Sequence, residues 1–316
     1  MDGNRAPREF VKAMTTELVP QPFVPEGRAY PVRLVLKVAG YSSAAWYGKR
    51  KGNGTSLRPG PKPMVSDELV LEAIRAVLAE CPFHSEGYKK VGSRLRRKGL
   101  RAGKERVLAI MKTNNLLAPV RPKRTGSSRP HDGKIITEMP NQMWGTDGKQ
   151  FRTEEEGPCW FFGVIDHCSD EILAHHQAKI GNRYAALEPV REAVRSQYGA
   201  IAEGIVTNTG LFLRSDHGSQ YDSEDFQREL KFLGLKHSPA FVRSPECNGI
   251  IERFHRILQE QVFDIHQFKN LAEARKVIGE FIERYNRKWI MHRLGLRSPA
   301  EYRAHIEAQK YFLKSA

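Results

Sequence analysis

The chain has 316 residues, of which 51 are Lys or Arg against 36 Asp or Glu, for a formal net charge of +15, and 40% are hydrophobic. That length holds two or three domains, and that apolar content excludes a globally disordered chain. No apolar run reaches the length of a membrane span and no signal-peptide pattern opens the chain. The four cysteines (Cys81, Cys159, Cys168, Cys247) form no CxxC pair, so the expectation is a soluble, cytoplasmic protein with reduced thiols and no membrane partner.

The charge is unevenly placed. Residues 1–135 hold 27 Lys and Arg against 11 Asp and Glu, a balance of +16, whereas residues 136–316 hold 24 against 25, a balance of −1. A basic arm ahead of a near-neutral enzyme gives this division, while a surface that is basic only for solubility spreads its charge.

Residues 1–58 read as an N-terminal helical region. Its first 30 residues are rich in Pro, Gly and charge and show little periodicity. Two short helices are expected around Gly40, one through Val32, Leu34, Val35 and Val38, the other through Ala44, Ala45, Trp46 and Tyr47. The pair is either a partial helix-turn-helix or a plain helical hairpin. Gly52 and Gly54 start a breaker-rich stretch that becomes a linker at 59–65, where Pro59, Gly60, Pro61 and Pro63 cannot continue regular structure.

Residues 66–118 predict three helices in a helix-turn-helix arrangement. Ser66 caps the first, with Asp67 and Glu68 in its first turn and Val70, Ile74, Val77, Leu78 and Cys81 at helical spacing. The second runs from about Ser85 to Lys98 and turns Tyr88, Val91 and Leu95 inward. Its other face carries Arg94, Arg97 and Lys98 among other cations, and Gly99 ends it. The third runs through Val107, Leu108, Ile110 and Met111 to Leu117. As the recognition helix it presents Lys104, Arg106 and Lys112 to DNA. The plainer reading is a basic three-helix bundle that binds nothing. Residues 119–140 follow as a proline-broken basic linker, in which Arg121, Lys123 and Arg124 can track phosphates.

The core is expected over 141–265. A strand from Met143 to Phe151 carries Asp147 near its middle. Trp160 to Ile165 is an apolar run suited to a strand buried on both faces, and Ile172 to Ala178 is a third strand. A helix covers Leu187 to Tyr198, with Pro189 in its first turn. A fourth strand through Leu211 and Leu213 ends at Asp216. A helix from Asp222 to Leu233 and a short strand at Leu235 to His237 come next. The two prolines of Ser238 to Gly249 suggest a mobile loop. Asn248 caps a helix whose buried stripe is Ile250, Phe254, Ile257, Leu258 and Val262, with Glu252 off the stripe and His255 and Arg256 on the face of Glu252. Residues 266–316 form a C-terminal helical extension. It holds one long helix marked by Leu271, Ala274, Ile278, Phe281, Ile282 and Tyr285, then a capping box at Ser298-Pro299-Ala300-Glu301. His175 and His176, adjacent on one strand, point oppositely and do not make a joint metal site.

Three acids stand out by their contexts: Asp147 in Trp144-Gly145-Thr146-Asp147-Gly148, Asp216 in Arg214-Ser215-Asp216-His217-Gly218-Ser219-Gln220-Tyr221, and Glu252 in Asn248-Gly249-Ile250-Ile251-Glu252-Arg253-Phe254. A lone acid is usually a solvated surface group. Carboxylates that converge from separate elements supply the hard oxygen ligands that a divalent metal needs.

These motifs, and the stretch from about Ser85 to Arg303, resemble the DDE transposases of bacterial insertion sequences, whose core is like that of retroviral integrases. The resemblance implies an α/β, ribonuclease-H-like mixed sheet with flanking helices, preceded by the small all-α helix-turn-helix domain. It implies Asp147, Asp216 and Glu252 as catalytic residues and metal ligands, with two Mg²⁺ ions per site or Mn²⁺ as a substitute. The implied reaction is strand cleavage and strand transfer on double-stranded DNA, at element ends and at a target, by a homo-oligomer. The family usually has Lys or Arg seven residues after the Glu. Gln259 stands there instead, with Arg256 nearby as a substitute. The absence of a leucine heptad in residues 1–60 leaves room for a segment supplied by the product of an upstream reading frame. Two rivals remain: a nuclease of the same fold that hydrolyses without joining, and a DNA-binding regulator with an inactive core.

Overall fold

The computed structural model describes residues 32–42, 46, 65–119, 137–216, 218–238 and 249–315. The expected caps and loops at Asn248 and 239–248, the cations Arg121, Lys123 and Arg124, and most of the second N-terminal helix lie outside those residues. The chain divides into two compact units, Met1–Pro63 and Met64–Ala316. In the first, helix α1 (Val32–Val38) buries Val35 and Leu36, and Tyr41 meets Trp46 edge to face.

The second unit begins with α2 (Asp67–Glu80), α3 (Tyr88–Arg97) and α4 (Lys104–Thr113). Ser66 caps α2, its side chain accepting from the Leu69 amide. Val70, Ile74, Val77, Val91, Leu95, Val107, Ile110 and Met111 form one small core, which is the apolar periodicity of the three helices closed on itself. Helix α3 starts later than its sequence suggests, because Ser85 takes a positive φ of 58° and breaks the helical path. Helix α4 stops at Thr113 instead of Leu117, because Asn115 turns left-handed at φ 55°.

The sheet has five strands: β1 (Met143–Thr153), β2 (Gly157–Asp166), β3 (Ile172–Ala178), β4 (Phe212–Arg214) and β5 (Lys236–His237), in spatial order β3-β2-β1-β4-β5. The first three form an antiparallel meander, while β4 and β5 join β1 in parallel. This mixed sheet with helices on both faces is the expected ribonuclease-H-like arrangement. Helix α5 (Arg183–Tyr198) and helix α6 (Glu224–Leu233) cover one face over Trp144, Phe162, Val164, Leu213 and Tyr221. Asn182 caps α5 a full turn before the expected start. Pro189 therefore sits inside the helix, where the carbonyl of Ala185 loses its usual donor.

The other face carries Phe151, Cys159, Phe161 and Ile165. It is covered by α7 (Gly249–Leu258), which runs into a π-helical turn (Gln259–Phe263), and by α8 (Leu271–Lys288). Residues on both sides of position 265 thus share one core. Phe83, from between α2 and α3, enters the same core and meets Trp289 edge to face at 4.8 Å. The last helix, α9 (Pro299–Ser315), begins with the expected reciprocal cap: the Ser298 amide donates to Glu301 at 2.8 Å, and the Glu301 amide donates to Ser298 Oγ at 3.3 Å. No described helix is long and apolar enough to cross a membrane.

Candidate active site

The register of β1 and β4 decides which acids can meet. Met143 pairs with Phe212, Trp144 with Leu213 and Gly145 with Arg214. Asp147 lies two residues after Gly145 in β1, and Asp216 lies two residues after Arg214, just beyond the end of β4. One Asp147 oxygen accepts from the Gly148 amide at 2.7 Å, and Asp216 Oδ1 accepts from the Gly218 amide at 3.0 Å. Tyr221 is fully buried beside both. Burial is the main cause that pushes its phenol well above its ordinary pKa. The negative charge of Asp147 comes next, a hydrogen bond with Thr146 opposes, and Asp216 adds to the rise. One buried phenol therefore senses both acids.

Helix α7 approaches Asp147 from the opposite side of the strand. His255 Nδ1 lies 3.4 Å from Asp147 Oδ2, and the imidazole meets Phe161 edge to face. The strand partner of Asp147 is Gly163, where any Cβ would come within 3.0 Å of the Phe161 ring. A bare residue there leaves the space that Phe161 fills. His255 Nε2 is buried and has no hydrogen-bond partner among the described residues. The helix is fixed at its start by Arg253, 3.6 Å from Asp170, which Arg293 also grips. Burial raises the Asp170 carboxyl pKa, and the two arginines oppose that rise.

Glu252 is exposed and lies three residues, about one turn, before His255. Asp147 and Asp216 thus both lie near one buried phenol, and Glu252 lies on the helix that touches Asp147. The oxygen donors suit a hard divalent cation, as the chemistry requires. Among the described residues, however, no three His, Cys, Asp or Glu groups stand close enough together to hold a metal ion.

The basic residues divide into two groups. Arg94 is bound by Glu86 at 2.6 Å and donates to the Lys288 carbonyl. Arg97 forks onto Glu301 and the Leu296 carbonyl, Lys98 meets Glu80, and Arg106 holds Asp67 and the Val65 carbonyl. These four cations are engaged inside the chain. Two of them, with Lys90 over the Trp289 ring, fasten the three-helix segment to α8 and α9. Lys104, 3.7 Å from the neighbouring Glu105, and Lys112 and Arg256 are exposed. Gln259 opens the π-helical turn and donates to Asp264 at 2.6 Å. In the same turn Gln261 exchanges hydrogen bonds with the His84 main chain.

Sequence reasoning missed two neighbours of the acids. His255 was legible only as sharing a helix face with Glu252, although a His three residues after an acid can reach past it to the sheet. Tyr221 closes the short polar turn after Asp216, and that turn was the only signal of its place.

Two family models, both described as integrase core domain, match residues 137–245 and 233–299. Transposase InsD for insertion element IS2A/D/F/H/I/K of Escherichia coli is 31% identical over 244 residues, covering 75% of this chain and 78% of that protein. An uncharacterized 48.2 kDa protein of insertion element IS2A, also of Escherichia coli, is 31% identical over 247 residues; the match covers 76% of this chain but 56% of that longer protein. A looser likeness, with TM-score 0.42 and 15% identity, covers 73% of this chain and 74% of a chain in the cryoEM structure of a simian T-cell lymphotropic virus intasome in complex with a PP2A regulatory subunit.

Proposed function

The chain belongs to the insertion-element transposases built on an integrase core domain, and on that premise we propose that it cuts the ends of a mobile DNA element and joins them to a target through Asp147, Asp216 and Glu252. What supports this reading of the residues is that Asp147 and Asp216 both act on the buried Tyr221, each two residues after the paired Gly145 and Arg214, while α7, which bears Glu252, reaches Asp147 through His255. Asp147 and Asp216 would hold divalent metal, Mg²⁺ or Mn²⁺, which when bound polarises a phosphodiester and lowers the pKa of an attacking oxygen. Glu252, in the first turn of α7, would supply a further oxygen donor. Two ions per site suit a symmetric exchange, in which one phosphodiester bond breaks as another forms and no nucleotide cofactor is consumed.

The chain's own residues then have separable tasks. The Gly148 amide and His255 orient the two oxygens of Asp147, and the Gly218 amide orients Asp216. Arg256, exposed on α7 one turn after Glu252, is placed to meet a phosphate in the role that Gln259 does not fill. The three-helix segment reads the element end, with Lys104 and Lys112 on its free surface and the linker cations Arg121, Lys123 and Arg124 along the backbone. A homo-oligomer on DNA would hold two ends at one target.

The test is a labelled oligonucleotide matching the element end, incubated with plasmid and Mg²⁺ or Mn²⁺. Transfer of label to the plasmid, lost in Glu252→Gln, is the expected result. Cleavage of a demonstrably bound end without any joined product would assign the protein to the hydrolytic nucleases instead.

A further inference from the structure

A line of hydrogen bonds ends on the main chain of Asp216 and belongs to none of the roles above. The Gln227 side-chain nitrogen donates to the Tyr221 carbonyl at 2.7 Å. A carbonyl only accepts, so that contact fixes which end of the amide is nitrogen. The same nitrogen lies 3.0 Å from His237 Nδ1. Nδ1 must then accept, which makes the imidazole neutral with its proton on Nε2. His237 Nε2 lies 2.9 Å from Ser215 Oγ and so donates to it, and the Ser215 hydroxyl donates onward to the Asp216 carbonyl at 3.0 Å. Ser215 is fully buried, so its hydroxyl has no water to fall back on.

The anchoring is two-sided. Gln227 holds the Tyr221 carbonyl and Ser215 holds the Asp216 carbonyl, so one relay reaches the main chain at both Asp216 and Tyr221. His237 is the link between them. It lies on β5, the outermost strand, which is only two residues long and pairs with β4 through Phe212–Lys236 and Leu213–His237. A strand this short has little sheet energy to fix Asp216. A side-chain relay supplies the fixing that the ladder does not.

We propose that His237 is a positioning residue for Asp216, holding its backbone through Ser215 in the neutral, Nε2-protonated form. This rests on the reading of Asp216 as an active-site acid. It asks that His237 affect the rate of the chemical step and leave DNA binding alone. A glutamine at 237 can place its own amide nitrogen near the position of Nε2 and donate to Ser215. A leucine cannot.

The experiment measures cleavage of the element end by the full chain at saturating DNA, for His237→Leu, His237→Gln and Asp216→Asn, together with end-binding affinity and melting midpoint. Loss of an outer partner of an active-site ligand typically costs 10–100-fold. The expected result is a fall of about tenfold or more in the saturated rate for His237→Leu, unchanged end affinity, and recovery of most of the rate in His237→Gln. An undiminished rate in His237→Leu, or a fall that His237→Gln does not restore, overturns the proposal. A His237→Leu variant that loses DNA binding and melting midpoint together also overturns it, since that marks a merely structural role. Retained cleavage in Asp216→Asn would instead overturn the underlying assignment of the acid, and the two failures are distinguishable.

Discussion

Arg94 and Glu86 form an ion pair of 2.6 Å in which the carboxylate is 1% exposed and the guanidinium 19%. The cationic face of α3, which composition marks as a DNA surface, is here in part a fastening between the three-helix segment and α8. A glutamate left buried without its partner is costly. Arg94→Ala is expected to lower folding stability by about 3 kcal/mol, at the low end of the range for breaking buried pairs. It should leave end affinity unchanged under conditions where the variant is folded. Denaturant titration paired with a binding isotherm checks both, and weaker binding by a fully folded variant would return Arg94 to the DNA surface.

The exposed cations of the segment behave differently. Lys104→Ala combined with Lys112→Ala should weaken end binding and flatten the slope of log affinity against log salt by about two units, near one for each phosphate no longer neutralised. Arg106→Ala, which removes partners of Asp67 and Val65, should change stability more than that slope. An unchanged slope in the Lys104 and Lys112 double variant would move DNA contact away from α4.

Asp147→Asn, Asp216→Asn and Glu252→Gln are each expected to abolish strand cleavage while retaining end binding. A gel assay that scores binding and cleavage on the same labelled end reads both. Near-native cleavage by any one of the three in Mg²⁺ would remove that residue from the proposed ligand set.

Where the sequence was informative, the reason is local. The β3 bounds at Ile172 and Ala178, the cap at Ser66 and the box at Ser298 follow from period and capping chemistry within a few residues. Asp147 and Asp216 stand out by their neighbours, and each lies two residues after the Gly145–Arg214 pair of β1 and β4. What was not legible depends on distant partners. Nothing near Arg94 in sequence shows that Lys288 will meet it, and nothing near Asp147 shows that His255 will. The late start of α3 and the early end of α4 turn on single left-handed residues, Ser85 and Asn115, that sequence patterns do not mark.

His167 gives a pH signature. Burial, then the charges of Arg214 and Arg293, lower its pKa from 6.5 to about 4. The unfolded chain takes up this proton as pH falls through 6.5, while the folded chain does not until about 4. The contribution is therefore fully present above pH 6.5 and lost between 6.5 and 4. At about 1.4 kcal/mol per unit, the loss is about 3 kcal/mol. The decline in stability over that window should be shallower in His167→Leu than in the parent chain, as read from denaturant midpoints at matched pH. Parallel declines would show that His167 does not carry it.

Gly148 follows Asp147, and a Cβ there would meet the Phe162 ring at 2.6 Å. Phe162 is fully buried and cannot yield freely. Gly148→Ala should cost about 1–3 kcal/mol of stability by overpacking and lower cleavage as well, since the Gly148 amide holds Asp147. A melting curve indistinguishable from the parent's would show that the ring moves aside at no cost.

The core that joins Phe151 and Phe161 to Ile278, Phe281 and Tyr285 has a consequence in the order of synthesis. All three proposed acids leave the ribosome before α8 does, and until α8 arrives the core that α7 forms on that sheet face lacks Ile278, Phe281 and Tyr285. A nascent or prematurely ended chain thus carries the proposed DNA-cutting residues over an incomplete core. A fragment ending at residue 265 should lack the near-ultraviolet circular dichroism of the full chain. A native-like signal from that fragment would sink the idea.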